Sequence, residues 1–173
     1  MTDLKATLRG LALLAPAVLL ASACAATAGG SANGSGWIIS SQDPRAKADF
    51  GFAFDCGKDP QCLAPKASGN YQDGVVRMTL DSVDPGAFGL WPPTGPIPDQ
   101  KCVVATVNYS SANPKVNGSG KASVNICDAS HGKVKTPDTF AIQVTSGPYA
   151  GYGDSGPLGG GQITVTPAPT TGP

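Results

Sequence analysis

Residues 101–128 read KCVVATVNYSSANPKVNGSGKASVNICD. Val103, Ala105, Val107 and Tyr109 recur at every second position, the signature of a strand with one buried face. Ala122, Val124 and Ile126 repeat that pattern after residues 110–120, a Ser-, Asn- and Gly-rich stretch that reads as a turn. Laid antiparallel so that Val103 faces Ile126, Ala105 faces Val124 and Val107 faces Ala122, the two halves bring all their apolar partners to one face. A slip of one residue would turn every one of them to the other face, so the pattern fixes the register. The same register opposes Cys102 and Cys127 on the opposite face, where directly opposed Cα atoms lie within disulfide reach. A Cys102–Cys127 bridge is therefore expected, leaving Cys56 with Cys62 across the short turn of residues 57–61.

The same reasoning extends to both sides. In residues 46–56, Ala48, Phe50, Phe52 and Phe54 alternate with Lys47, Asp49, Gly51 and Asp55, giving a half-buried strand with a strongly apolar inner face. Asp73-Gly74 is a tight-turn signal, so residues 67–72 and 75–83 are expected to pair as a hairpin with Val76, Met78 and Leu80 inward. Short strands are also expected at Trp37-Ile38-Ile39, at residues 140–144 around Phe140, Ile142 and Val144, and at Ile163 and Val165. Residues 84–99 hold Pro85, Pro92, Pro93, Pro96 and Pro98, which cannot donate to a ladder, and read as a long loop packed by Phe88 and Trp91. About eight short strands joined by Gly- and Pro-rich turns define an all-β fold, expected as a disulfide-linked antiparallel β-sandwich over residues 37–166.

The beginning of the chain carries an address. Lys5 and Arg9 precede the apolar run of residues 11–20, and Ala21-Ser22-Ala23 follows, which is the layout of an export signal over residues 1–23. Pro16 interrupts the run, which is well short of the roughly 20 residues a membrane-spanning helix needs. Cys24 then has two readings. Ala21-Ser22-Ala23-Cys24 resembles a bacterial lipobox, with Ala21 where Leu is usual, and acylation of Cys24 would hold the protein on the outer face of a membrane. The other reading is plain secretion, with cleavage after Ala23 or Ala28. Either way the remaining cysteines form an even set in an exported chain, the composition of a two-disulfide domain. Residues 24–36, rich in Gly and Ser, read as a flexible tether, and residues 167–173 as a disordered tail.

Composition narrows the function classes. Twelve basic and twelve acidic residues are dispersed through the 173, giving zero formal charge and no basic run. That distribution lacks the electrostatic footprint of a nucleic-acid binder. Glycine (23) and proline (16) are abundant and charged residues sparse, which favours turns and strands over helices.

The segment 138–165, DTFAIQVTSGPYAGYGDSGPLGGGQITV, resembles the end of the actinobacterial post-COAP-1 domain. The likeness lies in Asp138-Thr139-Phe140 with Ile142, the Gly147-Pro148-Tyr149 turn, the Gly-rich loop from Gly156 to Gly161, and Ile163 with Val165. Gly36-Trp37-Ile38, Phe50-Gly51-Phe52 and Gly69-Asn70-Tyr71-Gln72-Asp73 look like the family upstream, while residues 84–99 and 128–136 depart from it. The resemblance implies an exported, non-catalytic module and brings no biochemical activity with it.

Candidate chemistry is thin. Gly153-Asp154-Ser155-Gly156-Pro157 looks like the nucleophile loop of chymotrypsin-like proteases, but it has one Gly before the Pro and the chain has a single histidine, His131, close before Ser155. A Gly-rich turn between the last two strands is the expected reading. His131 reads as an exposed turn residue, since a metal centre needs several converging ligands. Asp128, Asp138 and Asp154 lie in loops where carboxylates gather for Ca²⁺, yet Asp in turns more often serves its own backbone. Trp37, Trp91, Tyr149 and Tyr152 are candidates for a sugar-binding platform, with Trp91 the residue most expected to face a ligand. The sequence therefore leads to an extracytoplasmic module with no catalytic residue, metal or cofactor. It is expected at a membrane through its lipid anchor, in a structural or protein-binding role, the alternative being a cell-wall glycan binder.

Overall fold

The structure, a computed structural model, describes residues 29–57, 59, 61–91, 100–129 and 136–168, leaving aside the side chain of Trp91. Among these residues the chain forms nine strands and no helix: β1 (Gly30–Ile39), β2 (Lys47–Asp55), β3 (Lys66–Asp73), β4 (Val76–Trp91), β5 (Lys101–Ser111), β6 (Ser119–Asp128), β7 (Thr139–Val144), β8 (Gly153–Pro157) and β9 (Gly160–Pro167). They pair antiparallel in one sheet of order β8-β7-β6-β5-β4-β3-β2-β1-β9. The β5–β6 register is the one the apolar pattern requires, with Val103 opposite Ile126 and Cys102 opposite Cys127. Disulfides join Cys102 to Cys127 and Cys56 to Cys62. Two bridges in one small domain point to folding in an oxidising compartment.

The expected sandwich is not what forms: the single sheet curls into a half-barrel. From β1 to β8 every strand pairs with its sequence neighbour, so no connection carries the chain to a second sheet. Phe50 of β2 stacks on Phe140 of β7 with ring centroids 4.1 Å apart and planes 6° from parallel. Strands β3 to β6 lie between those two in the sheet, so only curling brings the rings together. Ala48, Phe50, Phe52 and Phe54 all point into this interior, joined by Val103, Ala105, Val107, Ala122, Val124 and Ile126. Each fully buried Val, Ile or Phe contributes about 1.5–3 kcal/mol of transfer free energy.

Three stretches differ from expectation. Residues 30–36, read as tether, form most of β1, which is paired on both sides, with β2 and with β9. Its inward positions include Gly34 and Gly36, and a Cβ on Gly36 would run into the carbonyl oxygen of Gly160. These glycines permit close approach of two backbones, a use that composition alone reads as flexibility. Residues 84–91, read as loop, continue β4 through Pro85; the register shifts between Val83 and Phe88, and Phe88 and Leu90 return to the core. An irregular stretch is where a strand tolerates a residue with no donor. Residues 153–157, read as a turn, form β8 against β7, with Ser155 opposite Ala141.

The sheet edges are stapled by side chains. The Ile163 and Val165 amides of β9 donate to the carboxylates of Asp138 (2.8 Å) and Asp128 (3.1 Å), residues flanking the β6–β7 connection. On the β8 side, Ser41 N–H donates to Asp154 (3.0 Å), Ser41 Oγ to the Gly153 carbonyl (3.1 Å), and Gly159 N–H to the Trp37 carbonyl (2.9 Å). These contacts take up part of the backbone that the two edges would otherwise offer to another chain.

Candidate functional site

The outer face of β6, β7 and β8 forms a groove of about 510 Å³, with the β1–β2 turn as one wall. Its side chains come from cross-strand rows: Ser123 lies opposite Gln143 and Gln143 opposite Gly153, while Asn125 lies opposite Ala141 and Ala141 opposite Ser155. Ser41 and Gln42 complete the rim. The small residues Ala141 and Gly153 keep the floor low, and the Gln143 amide donates to the Tyr152 carbonyl at 3.1 Å, lying over Gly153. Among the described residues the lining carries hydroxyls and carboxamides but no lysine or arginine, and its one acid, Asp154, is buried.

Asp154 connects the groove to a buried polar network. One of its oxygens accepts the Ser41 and Ser155 amides at 3.0 and 2.9 Å, and the other accepts the Tyr71 hydroxyl at 2.9 Å. The Tyr71 hydroxyl is 2.6 Å from that of Tyr152, which donates to Asp73 at 2.6 Å; Ser40 Oγ donates to the same Asp73 oxygen at 2.8 Å. Burial, reinforced by Tyr152 and Asp154 at Tyr71 and by Asp73 at Tyr152, pushes both tyrosine hydroxyls well above the ordinary phenol range, so each stays protonated and serves as a donor. The arrangement ties the β7–β8 connection to β3 and holds the Ser41 rim in place. Buried polar groups satisfied in this way specify a structure; an unpaired carboxylate at the same depth would be costly.

The sequence-level candidates fare unequally. Ser155 is exposed on β8, and its amide, not its hydroxyl, contacts Asp154. Asp128 and Asp138 converge on β9, while Asp154 belongs to the separate tyrosine network. Asp138 also accepts the Ala129 amide at 2.9 Å. These carboxylates are thus given to backbone donors.

The proposed aromatic platform is not assembled at the groove. Trp37 is half-buried against Gly159 and Gly160, with the Lys47 ammonium 3.9 Å from the ring centroid. Tyr149 is buried at the other end of the β7–β8 connection, its hydroxyl 2.8 Å from Ser111 Oγ and its amide donating to the Tyr109 hydroxyl. Trp91 ends β4 opposite Cys102. Cys24 and His131 lie outside the described residues.

Reading the sequence missed the groove and the Asp73–Tyr152–Tyr71–Asp154 chain. Both are built from segments far apart in sequence, and nothing local to any one of them marks it. No protein-family model matches the chain, and neither does any curated protein or solved structure.

Proposed function

We propose that this chain is an exported, non-catalytic envelope module, anchored through acylated Cys24, that presents the outer groove to a partner. The observation that carries the reading is the use made of the buried acids and tyrosines: Asp138 and Asp154 accept backbone amides, and Tyr71 and Tyr152 donate to carboxylates. Groups with the chemistry for acid–base work are spent on holding the sheet edges and the groove rim. The disulfides fit a protein that works beyond the cytoplasm.

The start of β1 at Gly30 sharpens the anchor. Only residues 25–29 separate it from Cys24, a reach of about 20 Å at full extension. The Gly30 end of the domain, where the Cys56 amide donates to the Gly30 carbonyl, would ride close to the membrane surface.

Replacing Cys24 with Ala is expected to move the protein from the membrane fraction to the medium, and a fluorophosphonate probe is expected to leave Ser155 unlabelled. Unchanged fractionation removes the anchor. Stoichiometric labelling of Ser155 removes the non-catalytic reading.

A further inference from the structure

We infer that the β6–β8 groove takes a neutral, hydroxyl-rich glycan strand. The inference rests on the groove being the binding face, and it names the ligand class. The first ground is charge. Asp154, the acid of the lining, has its oxygens turned to Ser41, Ser155 and Tyr71, so the surface that the described residues offer to a ligand is uncharged. Anionic polymers and nucleic acids would find no cation among those residues to replace their counterions.

The second ground is the kind of hydrogen bonding on offer. Ser123, Ser155 and Gln42 stand with Asn125 around a floor of Ala141. Hydroxyls and carboxamides both donate and accept, which matches a polyol whose every hydroxyl does the same. The volume lies in the range of ordinary ligand sites.

The third ground excludes the main competitor, an extended peptide. Peptides bind sheets by adding a strand to a free edge. Here β8 pairs with β7 on one side, while on the other the Ser41 hydroxyl holds the Gly153 carbonyl, the Asp154 carboxylate holds the Ser155 amide, and just past the strand the Trp37 carbonyl holds the Gly159 amide. What remains is a sheet face, which offers side chains alone. No aromatic ring lines the groove among the described residues, so each site binds weakly; a long polymer met by many anchored copies compensates through multivalency.

The test uses the exported full chain with its disulfides intact, ¹⁵N-labelled and titrated with chitotetraose, tetragalacturonate and a neutral Gly-Ser peptide of similar length. Chitotetraose is expected to shift the amides of Ser41, Ser123, Asn125 and Ser155. Asn125→Ala is expected to weaken binding about tenfold, the size of one good hydrogen bond. Ser155→Ala supplies an independent variant should Asn125→Ala disturb the spectrum globally. Gln162→Ala, on the outer face of β9, should leave binding unchanged. Absence of groove shifts at tetrasaccharide concentrations on the order of 10 mM, where Kd values in the millimolar range still register, overturns the inference. So does preference for the anionic sugar. Groove shifts with the peptide alone overturn the glycan while keeping a binding module; shifts with none of the three overturn the binding face as well.

Discussion

Asp138 accepts the amides of Ala129 and Ile163 at 2.9 and 2.8 Å while almost fully buried, so one side chain fastens β9 across the open side of the half-barrel. Asp138→Ala strands two buried donors, each costing about 1–3 kcal/mol. A loss of roughly 3 kcal/mol in urea-denaturation stability is expected; a loss no larger than the roughly 0.5 kcal/mol of an ordinary surface change would mean that the carboxylate does not close the sheet. The tyrosine network makes a prediction about pH. Burial raises Tyr71 and Tyr152 above the ordinary tyrosine value of 10.0, so below that pH both folded and unfolded chains keep these protons. Above it the unfolded chain releases them and the folded chain does not, so stability falls as pH rises past about 10. Tyr71→Phe removes one of the buried tyrosines that titrate this way, and its urea midpoint should fall less steeply between pH 9 and 11 than that of the parent. Equal slopes would show that Tyr71 is not held protonated by the fold.

Elements differ in how plainly the sequence announces them. β5 and β6 were legible because their inward residues are all apolar and a hairpin admits only one register that buries them. β2 was legible for the same reason through Phe50, Phe52 and Phe54. β1 was legible only at its end, Trp37–Ile39, because Gly34 and Gly36 occupy inward positions and break the apolar alternation that marks a buried strand. β8 was hidden likewise: its inward residue opposite Ile142 is Asp154, and Gly156 adds no side chain. The prediction at this scale concerns the curl. Gly36→Ala forces a methyl against the Gly160 carbonyl and the Gly161 Cα, so β9 must move away from β1. A cost of about 1–3 kcal/mol is expected from overpacking, whereas Ser35→Ala, pointing outward from the same strand, should stay within about 0.5 kcal/mol. Equal effects of the two changes would show that β1 and β9 are not in close contact there.

At the scale of the molecule, an oxidised, curled sheet carries on its outside a neutral groove whose rim is fixed from within. The all-β antiparallel class, the disulfide pairing and most strands could be read from alternation and cysteine parity, but the sandwich expected from them gave way to one curled sheet. Closure of the sheet could not, because it depends on Asp128, Asp138 and Asp154 meeting backbone amides from distant segments. The groove was out of reach for the same reason, since Ser41, Asn125 and Ser155 converge only once the sheet has curled. The central claim is that this fold is assembled outside the cytoplasm and held at a membrane. Mass spectrometry of the protein recovered from the native cell envelope, digested without reduction, tests it most directly. An acylated N-terminal Cys24 is expected, together with peptides joining Cys56 to Cys62 and Cys102 to Cys127. A chain that still begins at Met1 with its cysteines as free thiols would contradict export, anchor and fold together.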